Sequence, residues 1–114
     1  MNEEKFRDVL ESTVPVIVCF YTPWCHACHQ MDPVIGKLAE EYRGRVRFAV
    51  VDASKYPQAV AEYYVRAVPT YIVFVDGNPE ERRVGIVYEP VFREWIEKWA
   101  PLTKQNSIRE DPQA

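Results

Sequence analysis

Phe20-Tyr21-Thr22-Pro23-Trp24-Cys25-His26-Ala27-Cys28-His29 is the stretch that decides how this chain is read. An apolar run from Val14 to Tyr21 leads into two cysteines with two residues between them, and an amphipathic helical pattern begins at once. That context points to a redox dithiol rather than to most other uses of a Cys-x-x-Cys pair. Two sulfurs across the first turn of a helix can close into a small disulfide ring. The helix N-terminus also offers unpaired N–H groups and a partial positive charge beside the first sulfur, which favours its thiolate.

Working outward, the 114 residues suffice for one domain. We read it over residues 1–100, followed by a mobile tail over 101–114 in which only Leu102 and Ile108 are apolar. A net charge of −3 gives no reason to expect a nucleic-acid partner. No apolar run approaches the ~20 residues of a membrane span. The polar, acidic start Met1-Asn2-Glu3-Glu4-Lys5-Phe6 is unlike a secretory signal. The expected compartment is therefore the cytoplasm, unless a leader has been removed. Cys19, Cys25 and Cys28 are too few and too clustered for a disulfide framework.

Asn2 can cap a first helix carrying Phe6, Val9 and Leu10 on one face, and Thr13-Val14-Pro15 ends it. Val16 to Tyr21, rich in β-branched residues, reads as a strand buried on both faces. From about His26 to Tyr42, Met31, Ile35, Leu38 and Tyr42 recur at helical spacing. Pro33 should interrupt and kink that helix, and Gly44 closes it. Arg45 to Asp52 is the next strand, with Val46, Phe48 and Val50 alternating against Arg45, Arg47 and Ala49. Pro57 starts a helix with Val60, Tyr63 and Tyr64 as its apolar face. Thr70 to Val75 is a strand, Asp76-Gly77-Asn78-Pro79 a turn, and Arg83 to Tyr88 the returning strand. Glu89-Pro90 opens a last helix striped by Phe92, Trp95, Ile96 and Trp99. The order α-β-α-β-α-β-β-α, with a right-handed strand–helix–strand crossover and a closing hairpin, gives an α/β fold: one mixed four-stranded sheet with helices on both faces.

From Phe6 to Trp99 the chain resembles the thioredoxin family. The resemblance rests on Trp24-Cys25-x-x-Cys28, on Pro33, on Val68-Pro69-Thr70 with Pro69 41 residues past Cys28, and on Gly77 and Gly85, in this order and spacing. It implies a thioredoxin-like fold and a thiol–disulfide oxidoreductase, a protein disulfide reductase. In that scheme Cys25 is the exposed nucleophile and Cys28 the buried thiol that resolves the mixed disulfide. Pro69 is cis and faces the sulfurs, and Trp24, His26, Val68 and Gly85 contact an extended partner segment. The dithiol is itself the cofactor, and no other is expected. The implied partners are protein disulfides and a disulfide reductase, with the chain a monomer rather than a dimer.

The sequence departs from the family at four places. The family's buried acid, six residues before the nucleophile, is Cys19 here, and its lysine partner falls on Val50. Replacing both halves of a buried ion pair is often neutral, whereas losing one strands a charge at about 3–5 kcal/mol. The expectation is that the buried proton relay is given up, so that resolution slows or water serves. His26-Ala27 stands where Gly-Pro is usual, which should make the dithiol harder to oxidise and its disulfide a better oxidant. There is also no room before Asn2 for the family's first strand, so the Arg45–Asp52 strand should lie at the sheet edge, protected by Arg45 and Arg47 or paired in a dimer.

Cys19 reads as a buried small hydrophobe rather than a third redox thiol. His29 reads as a solvated helix residue, and Glu80-Glu81 with Arg82-Arg83 as an ordinary solvated hairpin. Cys25-His26-Ala27-Cys28-His29 fits the haem-attachment pattern literally, but the strand before it and the helix after it argue against haem. A soft metal would need exposed ligands on one turn to converge, so no metal site is assigned. An oxidase or isomerase, and a non-catalytic binding or metal-binding domain, are the alternative functions.

Overall fold

The computed structural model describes residues 3–100. The Asn2 cap and the tail over 101–114 lie outside the described residues. The elements run α1 (Glu3–Leu10), β1 (Val16–Tyr21), α2 (His26–Glu41), β2 (Arg47–Asp52), α3 (Pro57–Glu62), β3 (Thr70–Val75), β4 (Asn78–Val84) and α4 (Glu89–Trp99). The sheet order is β2-β1-β3-β4. The β1–β2 pair is parallel, and the other two pairs are antiparallel. This is the expected mixed four-stranded sheet, with β2 at one edge.

Strand alternation divides the core in two. Ile17 and Cys19 of β1 pack with Tyr71 and Val73 of β3 beneath α2 and α4, where Leu38, Phe92 and Ile96 are fully buried. Val16, Val18 and Phe20 point the other way, with Ile72 and Phe74, against Val9 of α1 and the partly buried Val60 of α3. The central strands β1 and β3 are buried on both faces, as the unbroken apolar runs require.

Four expectations are corrected. Strand β2 starts at Arg47 rather than Arg45, because Arg45 and Val46 are still held by the Tyr42 carbonyl at 2.9 and 3.0 Å. Pro33 does not interrupt its helix, which runs unbroken from His26 to Glu41. Tyr64 is exposed rather than part of an apolar face, since it ends α3 in the left-handed region, at φ 55°. The returning strand is Asn78–Val84, not Arg83–Tyr88. Asp76 (φ 54°) and Gly77 (φ 81°) close a two-residue turn with positive φ at both positions, so pairing resumes directly at Asn78. A Cβ on Gly77 would also meet the Leu10 carbonyl oxygen at 3.1 Å.

The hairpin carries a one-residue bulge: Phe74 pairs with Pro79, but Val73 pairs with Glu81, so Glu80 is extra. Paired residues in a sheet share a face. The bulge therefore turns Glu81 and Arg83 toward α4, and Arg82 toward α3. Glu81 accepts hydrogen bonds from Trp95 Nε1 at 3.0 Å, Trp99 Nε1 at 2.9 Å and Lys98 Nζ at 3.1 Å, and pairs with Arg83 at 3.0 Å. Arg82 donates to the carbonyls of Tyr63 and Tyr64 at the end of α3, at 2.5 and 3.1 Å. Glu81, Arg82 and Arg83 are thus not an ordinary solvated hairpin, whereas Glu80 is exposed as expected.

Candidate active site

The site is built at the C-terminal end of β1, where the chain turns into α2. Cys25 is the N-cap of that helix, with extended backbone (φ −86°, ψ 111°). Its Sγ accepts the backbone N–H of Cys28 at 3.1 Å, and its own N–H is held by the Thr22 carbonyl at 3.1 Å. One orphan donor of the helix start is therefore aimed at this sulfur. There is no acidic residue in the first turn to oppose a negative charge there. Cys25 and Cys28 form a disulfide across this turn, with Cα atoms 5.2 Å apart. Cys25 is partly exposed, and Cys28 is buried at 5% exposure.

Val68 and Pro69, just before β3, face the pair and are joined by a cis peptide bond. The Val68 carbonyl oxygen lies 3.7 Å from Cys25 Sγ, within reach of a thiol proton when the pair is reduced. Gly85, at φ 88°, donates its N–H to the Pro69 carbonyl at 2.8 Å, which fixes it beside the proline. Trp24 stands largely exposed beside Cys25, and His26 is exposed at the first position of α2. Cys25, Cys28, Val68, Pro69 and Gly85 are thus brought together, with Trp24 and His26 flanking them in the chain. The exposed Ile86, just past Gly85, was not singled out from sequence. Placing a strand over residues 83–88 had hidden it.

A groove of about 450 Å³ opens beside Cys28, lined by Cys19, Pro69, Tyr71, Ile35, Val50 and Asp32 among others. Cys19 is 5% exposed, and burial pushes its thiol up, far from thiolate formation near neutrality. This matches the expected small buried hydrophobe. Val50 is corrected: it is 55% exposed, because β2 is the sheet edge and Val50 sits at the groove mouth. The pair Cys19 and Val50 is not a buried pair.

His29 is an exposed helix residue, as read from the sequence, but it is not without partners. Its Nε2 bonds the Pro23 carbonyl at 2.7 Å, and its Nδ1 faces Asp32 Oδ2 at 3.4 Å. These contacts raise its pKa, the Pro23 bond first and Asp32 after it. A helical residue four before Pro33 and one past Cys28 gave no sequence signal for a contact back to Pro23. Among the described residues, no group of three or more His, Cys, Asp or Glu side chains could hold a metal ion. Nor is any helix there long and apolar enough to cross a membrane.

A family model described as Thioredoxin matches residues 1–98. Thioredoxin 1 of a Nostoc species is 34% identical over 92 residues, covering 81% of this chain and 86% of that protein. A chloroplastic M-type thioredoxin of Chlamydomonas reinhardtii is 34% identical over 100 residues, 87% of this chain and 71% of that protein. The solved structure of a mutant thioredoxin from Halobacterium salinarum superposes with a TM-score of 0.82 at 30% identity, covering 90% of this chain and 89% of that one.

Proposed function

The chain belongs to the thioredoxin family and is a thiol–disulfide oxidoreductase of protein disulfides, and on that premise we propose that it works as a reductase, with Cys25 attacking and Cys28 resolving. The observation that carries the assignment is the asymmetry of the pair. Cys25 caps α2, accepts a helix N–H and is partly exposed, whereas Cys28 is buried. A thiolate forms more easily at the first position and is reached more easily there.

In the reduced protein the Cys25 thiolate attacks one sulfur of the partner's disulfide, and the partner's other sulfur leaves with the bonding pair. Cys28 then loses its proton and attacks Cys25 Sγ. The Cys25–Cys28 bond forms, and the Cys25–partner bond breaks. The chain is oxidised by two electrons and the partner is reduced by two. The backbone of Val68 pairs with an extended partner segment, as in strand addition. Trp24 and Gly85 supply apolar surface beside it.

Regeneration requires a disulfide reductase, and the working form is a monomer. We place it in a reducing compartment, the cytoplasm, in keeping with the free Cys19. The chloroplastic label is that of the algal and plant M-type relatives and is not carried over to this chain. The redox state of the pair, trapped by alkylation in intact cells, reports the compartment.

The roles are tested with single serine variants and a protein disulfide substrate. Cys28→Ser accumulates a covalent mixed disulfide that a thiol reductant releases, and Cys25→Ser accumulates none. A stable adduct on Cys25→Ser instead would reverse the assignment.

A further inference from the structure

A resolving thiol that is 5% exposed must hand its proton to something before it can attack. This question rests on the reading of Cys28 as the resolving thiol. The groove beside Cys28 limits the candidates. Its titratable lining groups other than Cys28 are Cys19, Tyr21, His29, Asp32 and Tyr71.

Cys19 is removed by burial, which holds it as a thiol with its Sγ directed to the Ile17 carbonyl at 3.9 Å. Phenols keep their protons near neutrality, which sets aside the two tyrosines. In Tyr71 burial strengthens that, since it pushes the phenol up. His29 Nε2 is committed as a donor, and its Nδ1 is taken up by Asp32. The Pro23 carbonyl only accepts, so His29 Nε2 must carry a proton to make its 2.7 Å bond.

That leaves Asp32. It stands one helical turn past Cys28, on the same face of α2, so the two Cβ atoms are about 5–6 Å apart. Both residues line the groove. We infer that Asp32, through water in that groove, is the proton acceptor for Cys28, with His29 as the positioning residue that ties Asp32 to the Pro23 end of the active-site turn. In this step the Cys28 proton passes to the Asp32 carboxylate. The Cys28 thiolate attacks Cys25 Sγ, the partner leaves as a thiolate, and it takes the proton back from Asp32 through water. The route runs along the surface of α2 rather than up from β1, where Cys19 offers no base.

The test uses the full chain, reduced, reacted in a single turnover with a symmetrical chromogenic aryl disulfide. Attack by Cys25 releases one aryl thiol, and resolution by Cys28 releases the second. The two steps are therefore separate absorbance phases. In Asp32→Asn and Asp32→Ala the first phase keeps its rate, and the second slows roughly tenfold. That is less than the about hundredfold typical of an enclosed base, because groove water competes. Acetate added to Asp32→Ala restores the second phase in proportion to its concentration. An unchanged second phase overturns the inference, and so does a slowed one that acetate leaves slow, which marks a structural role. Absence of any first phase in the unaltered chain overturns the reading of Cys25 instead, and the inference with it.

Discussion

Cys19 and Val50 are register partners across β1 and β2, yet the first is buried and the second is 55% exposed. A charge introduced at each therefore meets a different environment. Cys19→Asp places a carboxylate in the core with no cation beside it, and should destabilise the fold by about 3–5 kcal/mol. Val50→Lys keeps its ammonium in water at the sheet edge and should change stability by less than about 0.5 kcal/mol. Combining them should recover only about 1 kcal/mol, the coupling of a solvent-facing pair. Chemical denaturation of the four proteins in a double-mutant cycle measures this. Full recovery in the double variant would show that position 50 closes over the groove.

Cys19 should be silent in the native state. Its thiol is pushed up by burial and held among Ile17, Tyr71 and Val73. With the protein reduced, iodoacetamide near neutral pH should modify Cys25 in minutes and leave Cys19 untouched until denaturant is added. Peptide mapping reads this directly. Labelling of Cys19 at the rate of Cys25 would make it a third working thiol.

Glu81 links the hairpin to α4 and makes stability depend on acid. Burial pushes its carboxyl up, but donation from Trp95, Lys98, Trp99 and Arg83 outweighs this and holds it at about 2, against an ordinary 4.5. A folded-state pKa below the unfolded one contributes stability that is present above about 4.5 and is lost as pH falls toward about 2. Glu81→Ala should remove that dependence. It should also cost about 2 kcal/mol or more at neutral pH, since two partly buried indole N–H groups lose their acceptor. Denaturation followed by tryptophan fluorescence at a series of pH values tests both. An acid transition in Glu81→Ala with the unaltered slope would remove Glu81 as its source.

What the sequence revealed, and what it hid, follows from the range of the interactions. The strands β1 and β3 were legible to the residue because their apolar runs are local and end in turn formers. The dithiol was legible because Cys25 and Cys28 lie on one turn. Strand β4 was misplaced because a bulge and a two-residue turn are set by pairing with β3, and Asn78-Pro79-Glu80 looks like loop. Glu81 was missed for the same reason: its donors Trp95 and Trp99 are 14 and 18 residues away, and only the register brings them together. The tie from His29 to Pro23 was not legible because its acceptor is a backbone carbonyl, which carries no sequence signal. Val50 looked buried because alternation in an edge strand does not say how much of a face is covered.

The potential of the Cys25–Cys28 pair should be less negative than thioredoxin's about −270 mV, in the direction of the about −180 mV of disulfide isomerase. The Cys28 N–H lies on Cys25 Sγ at 3.1 Å, the helix start is free of acidic residues, and His26 occupies its first position, exposed beside the sulfur. Each favours the Cys25 thiolate, and a stabilised thiolate makes the dithiol harder to oxidise. An imidazole beside a helix-capping thiolate stabilises it by an amount of the order of a helix-terminus interaction, about 0.3–1 kcal/mol. Removing it in His26→Ala should shift the potential roughly 10–20 mV more negative, taking 30 mV as about 1.4 kcal/mol. Equilibration with glutathione buffers, followed by alkylation of the remaining thiols, gives both values. A potential below −270 mV in the unaltered chain, or a positive shift in His26→Ala, would mean that the residues between the cysteines act on the disulfide rather than on the thiolate.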